Sequence, residues 1–326
     1  MKKIIFIIIV ITFLIIFSLL YTINKKSEED NNLQKVKVAE VTHSIFYTPL
    51  YVAHSLGYFK ENGLDVEIIL TSGADKVASA VMSKDVQIGF CGSEQTVYIY
   101  NRGAKDYLVN FAGMTKKDGS FLVSRKNKKF DINDLNNKVI LGGRNGGMPA
   151  MTLNYTLYKK GIKANVDTSV DFASLSGAFI GGNGDYVTLF EPTALSLEKE
   201  GYGYIVESIG NLGGEVPYTS FNALKSYIDK NPDVIKGFTK AINKGIEYTK
   251  NTNNIELAKI LIDYFPDSSI GDIEKVVERY KNIDAWYDNT YITENSWNNM
   301  IDIVKFNGFL EKEVKYSTLV NNDYNE

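Results

Sequence analysis

The sequence predicts an α/β protein built from two lobes, with a ligand cleft between them. From residue 35 onward, short apolar runs are followed by glycine-bearing loops and then by helical segments. Strands that alternate with helices in this way are typical of parallel α/β units. The chain has 326 residues, of which 44% are hydrophobic, and this is enough for two lobes of about 100–150 residues. We therefore expect each lobe to hold a mostly parallel sheet that is flanked by helices.

Three strand-and-helix units are predicted at the start of this region. The strands are residues 36–41 (VKVAEV), 65–70 (DVEIIL) and 86–90 (VQIGF). The first helix begins at Pro49 and ends at Gly63, because proline suits the first helical position and glycine the position after the last. The hydroxyl of Ser72 can cap the second helix, residues 74–83, and the third helix follows residues 91–94.

The same alternation returns in the second half of the chain. The predicted strands are residues 139–143 (VILGG), 185–190 (DYVTLF) and 204–209 (YIVESI). Helices are expected to begin at Pro149 and at Glu191-Pro192. From Pro232 the chain is mostly helical, because apolar residues recur on one helical face. These residues are Val234, Ile235, Phe238, Ile242 and Ile246, and later amphipathic stretches cover 255–265, 270–282 and 294–307.

Two turn-rich segments, residues 114–120 and 211–218, predict where the chain crosses between lobes. We expect lobe one to comprise residues 35–115 and 217–326, including the C-terminal helices, and lobe two to comprise residues 116–216. Residues 1–34 are expected to form a membrane anchor or signal segment followed by a polar tether.

The N-terminal segment predicts export of the folded part. Residues 4–23 are uncharged, and about 20 apolar residues suffice to cross a bilayer as a helix. Lys2 and Lys3 favour a cytoplasmic N-terminus, with everything after the apolar segment outside the cytoplasm. The length of the segment and the lack of an A-x-A-like site favour an uncleaved anchor over a removed signal peptide.

Composition and missing motifs argue against several classes of protein. The net charge is −3, with 36 basic and 39 acidic residues well mixed, so no nucleic-acid partner is expected. The single cysteine, Cys91, excludes an internal disulfide, and His43 and His54 lack a metal-ligand spacing, so no metal and no cofactor is expected. No Gly-Lys pair of a phosphate loop, G-x-G-x-x-G after a strand or G-x-S-x-G elbow occurs. These absences favour a protein that is not an enzyme, without catalytic residues.

The loops that follow the strands are the predicted ligand site, since they meet at one edge of a parallel sheet. The loop of residues 142–147 is rich in glycine, which lets a ligand approach the backbone, and Arg144 can bind a carboxylate, sulfonate or phosphate in a bidentate manner. The helix that follows presents free N–H groups to an anion. Alternatively, these glycines only form a tight turn and the Arg144 side chain is exposed to solvent. Glu191 either caps its helix or faces the cleft, where it would accept hydrogen bonds from an amine or a ring N–H.

The candidate ligand-binding residues come from both lobes. They are Thr42, Ser44, Tyr47, Ser72, Gly92 and Ser93 in lobe one and Arg144, Asn145, Gly146 and Glu191 in lobe two. Aromatic residues are dense near these loops, and most are expected in the core while the remainder could stack on a flat ring. The aromatic residues are Phe46, Tyr47, Tyr51, Phe90, Tyr186, Phe190 and Tyr218.

Residues 48–68 (TPLYVAHSLGYFKENGLDVEI), above all GYFKE at 57–61 and GLD at 63–65, resemble the opening of extracytoplasmic solute-binding proteins of ABC importers. The branch is the one with the sulfonate, nitrate, taurine and thiamine-pyrimidine binders, related to the yeast thiamine pyrimidine synthase. Residues 86–94, 139–149 and 184–192 are similar to later loops of that family. The resemblance implies a two-lobed type II periplasmic-binding-protein architecture that closes by a hinge, with ABC permease and ATPase subunits as partners. The synthase has a histidine where Tyr47 stands and a cysteine-rich segment without a counterpart here.

The predicted function is capture of a small molecule for an ABC permease, by a monomer and with no covalent step. The favoured ligand is an aromatic heterocycle such as a thiamine-pyrimidine or flavin-type precursor, and an aliphatic sulfonate or similar anion is the alternative. Two other functions stay open, a pyrimidine-synthase-like enzyme and an anchored ligand sensor.

Overall fold

A computed structural model describes residues 32–71 and 73–325 of the chain. The predicted membrane anchor and most of the tether, in residues 1–31, lie outside the described residues, as does Ser72. Among the helices within the two described ranges, none combines the length and the apolar character that a membrane span requires.

Within the described residues, ten strands form two five-stranded sheets. In chain order the strands are β1 (Gln34–Glu40), β2 (Leu64–Leu70), β3 (Ile88–Cys91), β4 (Leu108–Thr115), β5 (Phe121–Ser124), β6 (Val139–Leu141), β7 (Asn165–Asp167), β8 (Tyr186–Leu189), β9 (Tyr204–Ser208) and β10 (Thr219–Leu224). The first sheet has the order β2-β1-β3-β10-β4 and the second β7-β6-β8-β5-β9. In each sheet one strand, β10 or β5, runs antiparallel to the other four. The predicted α/β class with mostly parallel sheets is confirmed.

Helices pack on both sheets. They are α1 (Thr48–Ser55), α2 (Tyr58–Glu61), α3 (Ala74–Met82), α4 (Glu94–Asn101), α5 (Met148–Lys159), α6 (Leu175–Ile180), α7 (Thr193–Lys199), α8 (Ile209–Gly213), α9 (Lys225–Lys230), α10 (Pro232–Asn251), α11 (Asn254–Leu261), α12 (Ile270–Asn282), α13 (Glu294–Phe306) and α14 (Tyr316–Leu319). We call the first sheet, its helices and the C-terminal helices lobe one. We call the second sheet and its helices lobe two.

The first predicted helix is in fact two helices, α1 and α2. Gly57 separates them with a φ of +76°, a left-handed conformation that glycine adopts without strain and other residues rarely do. The helix of residues 74–83 and the long helix from Pro232 agree with the prediction within a few residues. Strands β4, β5 and β10 were not predicted, because every one of their residues is buried and no alternation of polar and apolar positions marks them.

The chain passes from the first sheet to the second between β4 and β5 and returns between β9 and β10. The two connecting segments lie side by side, since Tyr218 N donates to Thr115 O at 3.0 Å and Val216 N donates to Lys116 O at 3.0 Å. A C-terminal segment braces the first connection, where Tyr287 N donates to Met114 O at 3.1 Å. These backbone bonds join the two connecting segments to each other and the end of β4 to the C-terminal segment.

The amphipathic helix α10 positions the first loop of the site. Its predicted apolar face is buried in the core of lobe one. A Cβ at Gly245 would collide with the carbonyl of Pro49, so only glycine lets α10 approach the start of α1 this closely. The loop before α1 is therefore held against a rigid helix.

Candidate functional site

The loop between β1 and α1 carries three of the predicted site residues. Ser44 and Tyr47 are buried, and Thr42 is half-buried. The Ser44 hydroxyl accepts a hydrogen bond from Phe46 N at 3.2 Å and donates one to Glu191 O, in lobe two, at 2.9 Å. The indole of Trp286 donates to Phe46 O at 2.8 Å. This loop of lobe one is thus ordered by its own turn and is already in contact with lobe two.

The turn between β3 and α4 holds Ser93 through a chain of buried hydrogen bonds. Ser220 Oγ donates to Asn110 Oδ1 at 2.6 Å, so the 2.7 Å bond between the two serine hydroxyls has Ser93 as its donor. Asn110 Nδ2 then donates to Thr96 Oγ1 at 2.9 Å. The hydroxyl of Ser93 therefore fixes the turn in lobe one, and its contact with a ligand stays a prediction.

Glu94, directly after Gly92 and Ser93, is a buried carboxylate that the sequence analysis did not single out. It is only 2% exposed. Its Oε1 accepts a hydrogen bond from the Gln95 amide at 3.0 Å, whereas Oε2 accepts none from any residue that the structure describes. A Cβ at Gly92 would overlap this carboxylate, so glycine is required for the side chain to fold over the turn. Burial raises the pKa of Glu94 to about 7.

The glycine-rich loop of lobe two reaches across to lobe one. Arg144 Nη1 donates to Asp75 Oδ1, at the start of α3, at 2.7 Å, and this hydrogen bond lowers the pKa of Asp75. The hydroxyl of Tyr98, on α4, donates to Gly146 O at 3.2 Å. Asn145 is exposed. The loop thus contacts the two helices that begin beside the predicted ligand loops of lobe one.

Glu191 is buried, with 1% exposure, and its carboxylate has partners within the protein. Oε2 accepts from Leu195 N at 2.8 Å, which is a helix-capping bond, and Oε1 pairs with the guanidinium of Arg279 on α12. The backbone N–H of Glu191 donates to the Tyr280 hydroxyl at 3.3 Å. Burial raises the pKa of Glu191, and the charge of Arg279 opposes this shift. The capping role that the sequence left open is present, and contact with a ligand stays a prediction.

Aromatic rings from both lobes meet at the same junction. The ring of Phe46 lies 6.0 Å from that of Phe190, in lobe two, and 6.0 Å from that of Tyr218. Tyr47 packs edge-on against Phe90 at 4.5 Å between ring centroids. Two further members of the predicted aromatic set lie elsewhere, since Tyr51 donates to Glu40 at 2.7 Å and Tyr186 belongs to a core cluster of lobe two.

Several buried polar atoms at this junction make no hydrogen bond with any described residue. They include Oε2 of Glu94 and Oγ1 of Thr115, whereas the side chains of Asp118 and Tyr218 lie within hydrogen-bonding reach of each other. Burial raises the pKa of Asp118 to about 6. Buried polar groups are usually hydrogen-bonded, so this group of atoms retains capacity to bind polar atoms of another molecule.

The structure brings part of the predicted site together and adds residues to it. Ser44 meets Glu191, and Gly92 lies beside Glu94, while burial raises the pKa of Tyr47. Sequence reasoning missed Asp75, Glu94 and Tyr98. An acidic residue in the first turn of a helix is ordinary, because the helix dipole favours it, so no local signal distinguishes Glu94 from an exposed one.

The fold and the two-sided site define a class, the two-lobed α/β architecture of periplasmic binding proteins. A sequence model described as "NMT1/THI5 like" matches residues 45–254, and the chain therefore belongs to the NMT1/THI5-like family, as the resemblance predicted. The chain is also 43% identical, over 304 residues, to a Bacillus subtilis protein named "Putative binding protein YtlA". The match covers 92% of this chain and 91% of that protein.

Two solved structures show the same fold. The periplasmic nitrate-binding protein NrtA from Synechocystis superposes with a TM-score of 0.71 and 16% identity, over 90% of this chain and 87% of that one. The alkanesulfonate-binding protein SsuA from Xanthomonas axonopodis, bound to MOPS, gives a TM-score of 0.69 and 13% identity, over 88% and 98% of the two chains.

Proposed function

We propose that the chain is the extracytoplasmic solute-binding component of an ABC import system, tethered to the membrane by residues 1–34. Family membership, the two-lobed fold and a relative that is named as a binding protein support this proposal. The protein works as a monomer with ABC permease and ATPase subunits, and it binds its ligand without changing it.

Closure of the lobes over the ligand is part of the proposal. The contacts between Ser44 and Glu191, Glu191 and Arg279, and Arg144 and Asp75 support it, because each joins lobe two to lobe one. Their side chains would separate in an open form while the backbone connection at Thr115 and Tyr218 persists as the hinge. A ligand that touches both lobes favours the closed form by its differential affinity.

An aromatic heterocycle is the ligand that the junction suits best. The observation that carries this is the combination of aromatic rings from both lobes, at Phe46 and Phe190, with buried carboxylate atoms of Glu94 that retain hydrogen-bonding capacity. A flat ring can stack on the aromatic side chains while its polar edge binds these atoms. An aliphatic sulfonate or similar anion is the second ligand class, and the names of the two structural relatives favour it.

A thermal-shift screen of the full chain in detergent tests the proposal, with pyrimidines, flavins, aliphatic sulfonates and nitrate. At a concentration of about 100 times its Kd, a true ligand should raise Tm by about 5 °C. A pyrimidine or flavin hit supports the heterocycle, and a sulfonate or nitrate hit replaces it with the anion. If no compound stabilises the chain, the solute-binding proposal is wrong. Mass spectrometry should recover the ligand unchanged, since conversion would show an enzyme of the pyrimidine-synthase type.

A further inference from the structure

The two histidines of the chain both contact one residue, Tyr264, in the segment between α11 and α12. His43 Nε2 lies 2.8 Å from the Tyr264 backbone oxygen, and His54 Nδ1, on α1, lies 2.7 Å from the Tyr264 hydroxyl. His54 Nε2 lies 3.1 Å from Val66 O, which can only accept, so Nε2 carries a proton and Nδ1 is free to accept from the hydroxyl. The two rings therefore connect this segment to the start of lobe one.

Both nitrogens of the His43 ring face acceptors. Nδ1 lies 2.8 Å from Oε1 of Glu40, and Nε2 faces the carbonyl oxygen of Tyr264. A neutral imidazole has only one N–H, so this arrangement requires a second proton between the ring and the carboxylate. Glu40 is only 2% exposed, and a buried carboxylate is costly unless it is paired and hydrogen-bonded. The imidazolium of His43 supplies the opposite charge, and the Tyr51 hydroxyl donates to Oε2 at 2.7 Å.

The titratable groups that face His43 are Glu40 from β1, Tyr51 from α1 and Tyr264 from the segment before α12. Burial raises the pKa of both tyrosines, that of Tyr264 to about 12, so neither loses its proton near neutral pH. The hydrogen bond with Glu40 raises the pKa of His43 above its usual 6.5, and burial opposes this shift. The His43 side chain is 36% exposed, so its proton can pass to water. The pair of His43 and Glu40 is therefore the group that changes protonation as the pH rises.

His43 joins two parts of lobe one that contact Glu191 of lobe two. The first part is the loop after β1, where Ser44, the next residue, donates to Glu191 O at 2.9 Å. The second part is α12, where Arg279 pairs with the Glu191 carboxylate. When the His43 ring is neutral, Glu40 has lost the cation beside it and only one ring nitrogen can still donate. The two parts of lobe one are then held together less firmly, and their contacts with Glu191 weaken.

We propose that protonated His43 positions the first loop of the site, and that loss of its proton as the pH rises loosens the contact between the lobes. A group whose pKa is raised in the folded form stabilises that form at low pH, and this stabilisation is lost as the pH rises through the folded pKa. His43 is a positioning residue, since it acts through the loop and α12. The inference rests on the proposed solute-binding function only in its consequence for the ligand, which loosened lobes should bind more weakly.

Hydrogen exchange of the ligand-free full chain in detergent tests this role, at about pH 5.5 and about pH 8.5, on either side of the histidine range. After correction for the intrinsic exchange rate, the backbone amides of residues 41–47 and 191–195 in the wild type should lose about three- to tenfold in protection at the higher pH. His43→Gln should show the lower protection at both pH values, because glutamine carries no charge. His54→Gln is the matched control and should show the same pH effect as the wild type.

The comparison of variants separates His43 from the other groups that titrate in this range. Glu94 and Asp118 are unchanged in His43→Gln, so a pH effect that comes from them persists in that variant. If the wild type loses no protection at the higher pH, or if His43→Gln loses it equally, the role of His43 is wrong. Urea unfolding verifies that both variants are folded.

Isothermal titration with methanesulfonate, nitrate and riboflavin measures the consequence for binding, because none of these probes changes its charge between the two pH values. A probe that binds should do so about three- to tenfold more weakly at the higher pH in the wild type, and equally at both in His43→Gln. If a probe binds without this dependence, the link from His43 to binding is wrong while solute binding stands. If no compound of the wider thermal-shift screen binds at either pH, the solute-binding function is wrong, and hydrogen exchange still decides the role of His43.

Discussion

The guanidinium of Arg144 and the carboxylate of Asp75 meet at 2.7 Å and join the glycine-rich loop of lobe two to helix α3 of lobe one. Their side chains are 53% and 52% exposed, so water and salt screen the attraction between them. The arginine that the sequence suggests as an anion ligand thus pairs, in this structure, with an acid of the opposite lobe. The pair therefore contributes only a modest free energy to the contact between the lobes.

Arg144→Gln and Asp75→Asn should each lower ligand affinity by less than about fivefold, because an exposed ion pair contributes about 0–1 kcal/mol. The double variant should lose no more than either single variant, since both remove the same contact. Isothermal titration with the ligand found by the thermal-shift screen measures these affinities at low and high salt, and the effect should shrink at high salt. A far larger loss in Arg144→Gln than in Asp75→Asn would mean that the guanidinium binds the ligand directly.

Glu191→Gln should lower the free energy of unfolding by about 3 kcal/mol, because it leaves Arg279 without its buried partner. The Arg279 side chain is only 19% exposed, so water replaces the lost carboxylate poorly. Glu198→Gln is the matched control, since Glu198 is a more exposed acid that contacts the same guanidinium at 3.3 Å, and it should cost less than about 1 kcal/mol. Urea unfolding measures both variants. Unchanged stability with altered ligand affinity in Glu191→Gln would instead support the ligand contact that the sequence suggests.

Local patterns predict most elements of the fold, where turn residues and apolar spacing agree. Helix α10 is an example, because a proline at its start and an apolar face with helical spacing identify it without tertiary information. The antiparallel strands β5 and β10 carry no such pattern. They are buried at every position, and Asn222 and Ser220 in β10 stay buried because other parts of the chain bind or cover them. Such positions depend on contacts that lie far apart in sequence.

The candidate site, too, could be predicted from the sequence only in part. The loops after the strands could be located from the sequence, because strand order and helix starts determine where they lie. The partner of each side chain could not be predicted from the sequence. Arg279 is 88 residues from Glu191 along the chain, and Asp75 is 69 residues from Arg144. Whether an acid is paired, as Glu191 is, or retains a free oxygen, as Glu94 does, depends on which distant cation the fold brings beside it.

Ser220→Ala should lower the free energy of unfolding by about 2 kcal/mol, because it removes the donor to Asn110 and the acceptor of Ser93 in a fully buried chain of hydrogen bonds. Ser79→Ala removes an exposed hydroxyl on α3 that donates to a backbone carbonyl and should change stability by less than about 0.5 kcal/mol. Urea unfolding monitored by tyrosine and tryptophan fluorescence compares the two. Equal small effects would show that the chain of hydrogen bonds does not hold the turn before α4.

Glu94→Gln should make the ligand-free chain more stable, by about 3 kcal/mol near pH 8 and by little near pH 4.5. Burial raises the pKa of this carboxyl from 4.5 to about 7, and one pKa unit corresponds to about 1.36 kcal/mol. Between the two values the folded protein keeps a proton that the unfolded chain releases. The stability that the neutral acid provides is therefore present at low pH and lost as the pH rises toward 7. Glutamine does not titrate, so the free energy of unfolding of the variant does not fall in this way as the pH rises.

The pH dependence of this difference is measured by urea unfolding of both proteins between about pH 4.5 and pH 8. Burial also raises the pKa of Asp118 to about 6, so Asp118 likewise lowers the free energy of unfolding as the pH rises. Asp118 is present in both proteins, so its contribution cancels in the difference. A difference that stays constant with pH would show that Glu94 is not held in a buried, unpaired state.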